Sequence, residues 1–215
     1  MELQRVCNGG ILLKLDGTSL LLDGLCSQVG PYMGTPELIY QSLLADPPEM
    51  LCFTHRHPDH FSEPLAADFQ KKTLRPICGP ERLPFAENFG AKKVGNVQIT
   101  PIKSRHLGKT EPDLTHVSFV IEGSQCLWFM GDAAPAQWRN RTDLPRPHVI
   151  VAPFAYAATE SAWKLTSSLT DRVVLVHMPS PQQDPHGLWP MVQSVIKQYE
   201  HPQVWIPEIG QKIVL

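Results

Sequence analysis

Met50-Leu51-Cys52-Phe53-Thr54-His55-Arg56-His57-Pro58-Asp59-His60 decides how this chain is read. The first four residues are a short apolar run of strand length, and Ser62-Glu63-Pro64 just beyond the last histidine reads as the start of a helix. Between them, three imidazoles and a carboxylate fall within the six positions from His55 to His60. A loop between a buried strand and a helix is where a rigid scaffold presents chemistry, and few structural needs call for that density of histidine.

Imidazole nitrogens and carboxylate oxygens suit zinc and its neighbours in the first transition row. In an extended loop His55 and His57 project to one side and share one ion, while Asp59 and His60 turn toward a second. The expected cofactor is therefore two divalent ions, zinc before manganese or iron, with distant parts of the chain completing both shells.

The remaining pattern supplies those distant parts. Asp16-Gly17 between two apolar runs predicts a hairpin over residues 9–22, and Asp23 follows its second strand. Helical spacing covers 36–45 and is stopped by Asp46-Pro47-Pro48. A helix is expected over 62–72 with Ser62 as its N-cap, a strand over 76–79 and a short helix over 80–89. A β meander then occupies 97–103, 117–122 and 125–130. Residues 149–151 form a buried strand and 159–169 a helix. The strand 172–176 ends at His177, a helix covers 188–199, and short strands 203–206 and 211–215 close the chain. Periodicity alone gives α/β or α+β in a single domain, 1–215.

His-x-His-x-Asp-His at 55–60 resembles the signature of the metallo-β-lactamase superfamily, and three later landmarks follow in order. They are His106 after the run Val97 to Ile102, Gly131-Asp132 after Trp128-Phe129-Met130, and His177 after Val173 to Val176. The resemblance implies an α+β, four-layer αββα sandwich. It implies one ion held by His55, His57 and His106, a second held by Asp59, His60 and His177, and Asp132 bridging them. His116, two residues before a strand, competes with His106 for the third-histidine place. Asp23 is either a carboxylate behind the metal loop that orients a ligand histidine or a plain turn residue before Gly24.

Such a centre implies a metal-bridging hydroxide as nucleophile, oriented by Asp59, with no protein nucleophile needed. Candidates for the acid that protonates the leaving group are His116, Tyr156 and His186. The expected activity is hydrolysis of a small, anionic ester, lactone or phosphodiester, with Arg56, Arg105 and Arg139 available to an anion. The alternatives are a non-catalytic or redox role on the same fold and, behind it, an RNA-processing nuclease. With 19 basic against 21 acidic residues the net charge is −2, so no broad cationic field exists to hold a nucleic acid. The amino terminus lacks the basic start and apolar core of a signal peptide, and no apolar run approaches 18 residues. A cytoplasmic protein acting on a small molecule, with no membrane partner, is expected; a homo-oligomer stays open. Five scattered cysteines in apolar runs read as reduced core residues.

Overall fold

The computed structural model describes residues 1–80, 90–108, 114–199 and 202–215. The helix expected over 80–89 lies almost entirely outside them. The first half runs β1 (Glu2–Arg5), β2 (Ile11–Leu15), β3 (Thr18–Leu22), α1 (Glu37–Ala45), β4 (Met50–Cys52), α2 (Glu63–Thr73) and β5 (Ile77–Cys78). Asp16 and Gly17 take φ of 52° and 78°, which gives the tight turn that pairs Leu15 with Thr18.

The second half runs β6 (Lys92–Val94), β7 (Val97–Lys103), β8 (Val117–Glu122), β9 (Cys126–Phe129), β10 (Val149–Pro153), α3 (Glu160–Leu169), β11 (Arg172–Val176), α4 (Leu188–Ile196), β12 (Gln203–Trp205) and β13 (Lys212–Val214). Strand β6, which the sequence pattern does not announce, pairs antiparallel with β7. The N-cap of α3 is Thr159, whose Oγ1 accepts from the Ala162 amide. Ser62 occupies the N-cap position of α2 without a side-chain bond, so the expected cap is positional only.

Among the described residues the strands form two sheets, ordered β13-β1-β2-β3-β4-β5 and β12-β11-β10-β9-β8-β7-β6. The period-2 alternation of strand side chains sorts the core into layers. One face of each sheet meets the other: Leu13, Leu20 and Met50 pack with Ile99, Phe119, Val151 and Val174. The outer face of the first sheet sends Leu21, Leu51 and Ile77 under α1 and α2, against Tyr40, Leu43 and Phe69. The outer face of the second sends Val173 and Leu175 against Trp163, Leu188 and Val192. The order is helix, sheet, sheet, helix, as expected. All five cysteines are buried and unpaired by disulfide. No helix among the described residues is long and apolar enough to cross a membrane.

This layering places the ends of the parallel strands at one edge. β3 and β4 run parallel, as do β9, β10 and β11. Asp23 follows β3, the His55–His60 loop follows β4, Asp132 follows β9 and His177 follows β11.

Candidate metal centre

Each site residue is aimed by its local backbone. Asp23 and His177 both adopt left-handed φ, 48° and 59°, which residues with a Cβ seldom take and which costs on the order of 1 kcal/mol. Their amides are anchored across the sheet edges, Asp23 N–H to the Cys52 carbonyl and His177 N–H to the Asn8 carbonyl. The His106 loop is bound to the Asp132 loop by an antiparallel bridge between His106 and Ala133 and by Leu107 N–H donating to the Asp132 carbonyl at 2.8 Å. Four separate stretches thus converge.

Nitrogen and oxygen atoms of His55, His57 and His106 lie within 4.8 Å of one another, and so do those of Asp59, His60 and His177. His55 Nε2 is 3.0 Å from His57 Nδ1. His177 Nε2 is 3.0 Å from Asp59 Oδ2. Asp132 Oδ2 reaches both groups: it is 3.6 Å from His106 Nε2, 3.4 Å from His60 Nε2 and 3.5 Å from His177 Nε2. Two atoms bound about 2.1 Å from one tetrahedral ion are about 3.4 Å apart, so these separations are those of ligands that share cations.

The hydrogen-bond pattern points the same way. Asp23 is fully buried and, as an ionised carboxylate, only accepts. It takes the Thr54 amide at 2.7 Å, the Thr54 hydroxyl at 2.6 Å and His60 Nδ1 at 2.9 Å. His60 therefore carries its proton on Nδ1 and presents a bare Nε2. Since Thr54 gives its only hydroxyl proton to Asp23, its oxygen accepts from His55 Nδ1 at 2.9 Å, which leaves His55 Nε2 bare as well. His106 Nδ1 donates to the Leu107 carbonyl at 2.6 Å. Carboxylate and carbonyl partners behind ligand histidines are the usual means of fixing tautomer and ring plane. His60 Nε2, His106 Nε2 and Asp132 Oδ1 are buried with no hydrogen-bond partner. Unpaired polar atoms at such depth are costly unless something else satisfies them, and the donor set fits divalent cations of the zinc, manganese or iron kind.

Protonation follows from these contacts. Burial, then the neighbouring histidines, hold His55 well below the usual imidazole range, and burial with His106 lowers His57. Burial opposes ionisation of Asp132, but His177 and His60 outweigh it and hold the carboxyl well below its ordinary value. Burial raises Asp23 against the pull of His60 and Thr54, while Asp132 and Asp23 raise His60 despite its burial. Those two directions describe one proton on the line between them. We place it on His60, which faces two carboxylates.

Two expected acid candidates, His116 and Tyr156, lie in buried positions. His116 is buried, and both of its nitrogens are engaged: Nε2 accepts from the Asp132 amide at 3.0 Å, and Nδ1 lies 2.7 Å from Ser104 Oγ. The proton must then be on Nδ1 and given to Ser104, which continues to Ser118 at 3.1 Å and on to the Met130 carbonyl at 2.8 Å. Burial lowers the pKa to about 3, so the ring stays neutral. With both nitrogens engaged, His116 holds the backbone that carries Asp132, while His106 keeps an Nε2 without a hydrogen-bond partner. Tyr156 is 1 % exposed in the core, where its hydroxyl accepts from Trp138 Nε1 at 2.8 Å. His186 is exposed on the loop before α4, and Arg56, Arg105 and Arg139 are exposed too.

Three contributors escaped the sequence reading. Asn8 Nδ2 donates to Asp59 Oδ2 at 3.2 Å. Gly9 lets the chain pass so near His60 that a Cβ there would lie 2.9 Å from Cε1. Tyr32 sets its ring edge on His177, centroids 4.7 Å apart, and burial followed by Asp59, Asp132 and Asp184 raises its pKa. The pair Gly9-Gly10 was a visible signal of close backbone approach; nothing in the sequence marked Tyr32.

No protein-family model matches the chain, and no curated protein sequence matches it. Solved structures do. A possible metal-dependent hydrolase from Veillonella parvula superposes with a TM-score of 0.76 at 17% identity, over 100% of this chain and 99% of that one. The metallo-β-lactamase fold protein YhfI from Bacillus subtilis gives 0.67 at 14%, over 99% and 98%. This chain has the metallo-β-lactamase fold. The same fold carries CmlA, a diiron β-hydroxylase from Streptomyces venezuelae, which gives 0.69 at 14% identity and is covered over 54% of its length, against 100% of this chain.

Proposed function

We propose that this chain is a metal-dependent hydrolase acting on a small ester, lactone or phosphodiester through a dinuclear centre. The observation that carries the reading is Asp132 Oδ2 lying 3.4 to 3.6 Å from imidazole nitrogens of both ligand groups, the position of a bridging carboxylate. His55, His57 and His106 would hold one ion, Asp59, His60 and His177 the other. Two divalent ions bound there would supply Lewis acidity and a water acidic enough to ionise near neutral pH.

The protein's own groups do the rest. Asp59, kept ionised by His177 and His60 against its burial, is an acceptor in the second ligand group, and Asn8 Nδ2 donates to the same Oδ2 that faces His177. It is placed to orient an attacking water and to take its proton. The backbone of Asp132 is held by His116, which accepts from its amide and so fixes where the carboxylate starts from. Tyr32, whose ring packs on His177, is the residue proposed to donate to a substrate oxygen. Arg56 and Arg105, exposed and each one residue from a ligand histidine, are the cations that an anionic substrate would meet.

A redox or binding role is the second reading, supported by the likeness to CmlA and by a donor set equally fit for iron. A small-molecule substrate is proposed in either case, since a net charge of −2 offers little to RNA. The test is metal analysis of the purified protein followed by hydrolysis of a panel of lactones, aryl esters and bis-aryl phosphates with zinc-, manganese- and iron-loaded samples. Turnover that falls at least 100-fold in Asp59→Ala supports hydrolysis; metal bound without turnover of any substrate favours the binding or redox role.

A further inference from the structure

The turn that carries Asp132 is held by more than its backbone. Ala133 N–H closes it on the Met130 carbonyl at 3.3 Å, and Gly131 makes the reversal with φ of 53°. That bond leaves the Asp132 amide without a partner inside the turn, and His116 Nε2 takes it at 3.0 Å. From the same ring a line of side chains runs back to where the turn began. His116 Nδ1 meets Ser104 Oγ at 2.7 Å, Ser104 meets Ser118 at 3.1 Å, and Ser118 reaches the Met130 carbonyl at 2.8 Å. Three side chains thus close a ring of hydrogen bonds around Gly131, from the residue before it to the residue after it.

The ring has one direction. A carbonyl only accepts, so Ser118 spends its single hydroxyl proton on Met130. Ser118 then accepts from Ser104, Ser104 accepts from His116 Nδ1, and Nε2 is left bare for the Asp132 amide. Losing one member therefore releases the orientation of the others. His116 and Ser118 are 3 % and 1 % exposed, so bulk water does not replace a missing partner.

The same clasp rests on the first ligand set. The His116 ring centroid lies 4.9 Å from that of His55 and 5.6 Å from that of His106. Val117 N–H donates to the Thr54 carbonyl at 2.9 Å, and a Cβ on Gly131 would lie 2.6 Å from Thr54 Cγ2. Any satisfied polar ring stabilises a fold. This one encircles the turn whose carboxylate lies 3.4 to 3.6 Å from imidazoles of both sets.

We propose that His116, Ser104 and Ser118 are positioning residues that hold the Gly131 turn so that Asp132 bridges, and that the second ion is captured only as tightly as this turn is held. The inference rests on the dinuclear reading and on no particular substrate.

The experiment titrates the metal-free full chain with zinc against a chromophoric chelator, while native mass spectrometry counts the ions. His116→Leu and Ser104→Ala each break the ring. Both are expected to weaken binding of the second zinc roughly 10- to 100-fold, the usual loss when support behind a metal ligand is removed, and to change the first step far less. His116→Gln is the conservative variant: its Oε1 can accept from the Asp132 amide while its NH2 donates to Ser104, so both steps are expected within about threefold of wild type. Melting of the metal-free proteins by circular dichroism identifies any that fail to fold, and Ser118→Ala then takes the place of such a variant.

Folded ring-breaking variants that bind both zinc ions within about twofold of wild type overturn the proposal. So does a His116→Gln protein no better than His116→Leu, since an amide reproduces these hydrogen bonds but not an imidazole ligand. A wild-type chain that holds one zinc or none sinks the dinuclear reading, and the clasp's part in it. A second zinc weakened whenever the ring is broken, without turnover of any ester, supports the clasp and sinks hydrolysis alone.

Discussion

Replacing Asp23 by asparagine keeps the shape of the side chain and changes one acceptor into a donor. In the wild type both carboxylate oxygens accept, Oδ1 from the Thr54 amide and Oδ2 from the Thr54 hydroxyl and His60 Nδ1. An asparagine can keep its oxygen on the Thr54 amide, but its NH2 then faces the His60 Nδ1–H, donor against donor. His60 escapes by moving its proton to Nε2, the atom that looks at Asp132 from 3.4 Å and that must be bare to bind an ion. Thr54 loses its acceptor too, and with it the fixed orientation of His55. Losing a partner behind a metal ligand typically weakens metal binding 10- to 100-fold, about 1.4 to 2.8 kcal/mol. The assay is zinc titration in competition with a chromophoric chelator, with circular dichroism to show that the metal-free variant is folded. A folded Asp23→Asn protein whose zinc affinity stays within about twofold of wild type would refute the assignment of Asp23 as the group that orients these histidines.

Two further outcomes are expected. Gly9→Ala should leave the fold intact but displace the His60 ring, since the new Cβ would sit 2.9 Å from Cε1 and 3.3 Å from Nδ1; the same chelator assay should show weaker metal binding with little change in metal-free melting. Tyr156→Phe removes the acceptor of the buried Trp138 indole, so denaturant titration should show a loss of about 1 to 2 kcal/mol while turnover stays within twofold.

Much of this molecule was legible in the sequence because ligand geometry and strand ends leave local marks. The cluster at 55–60, Gly131-Asp132 and the apolar run ending at His177 each announce a strand delivering a polar residue to an edge, and the structure gathers all seven expected ligands. The choice between His106 and His116 was not local. It turned on which ring has a free nitrogen, and that depends on Ser104, Ser118 and the Asp132 amide, which periodicity cannot position. The surroundings of Tyr156 were not local either: a tyrosine after a buried strand looks alike whether its hydroxyl faces a pocket or an indole. Asn8 and Tyr32 were unmarked because they are single residues whose role comes entirely from long-range packing.

Arg5, whose guanidinium donates to the Met178 and Pro207 carbonyls, and Asn8 form a brace that has a bearing on how the protein comes to fold. These residues precede their partners, the backbone of Met178 and Pro207 and the amide of His177, by 169 to 202 positions. Asn8 also waits for Asp59, 51 positions on. Contacts closed over such spans form late, because the chain must lose a long loop's freedom before gaining them. A nascent chain with only the His55–His60 loop exposed holds a partial set of ligands and no seat for two ions. The expected ligand set is therefore complete only once His177 has joined the earlier residues.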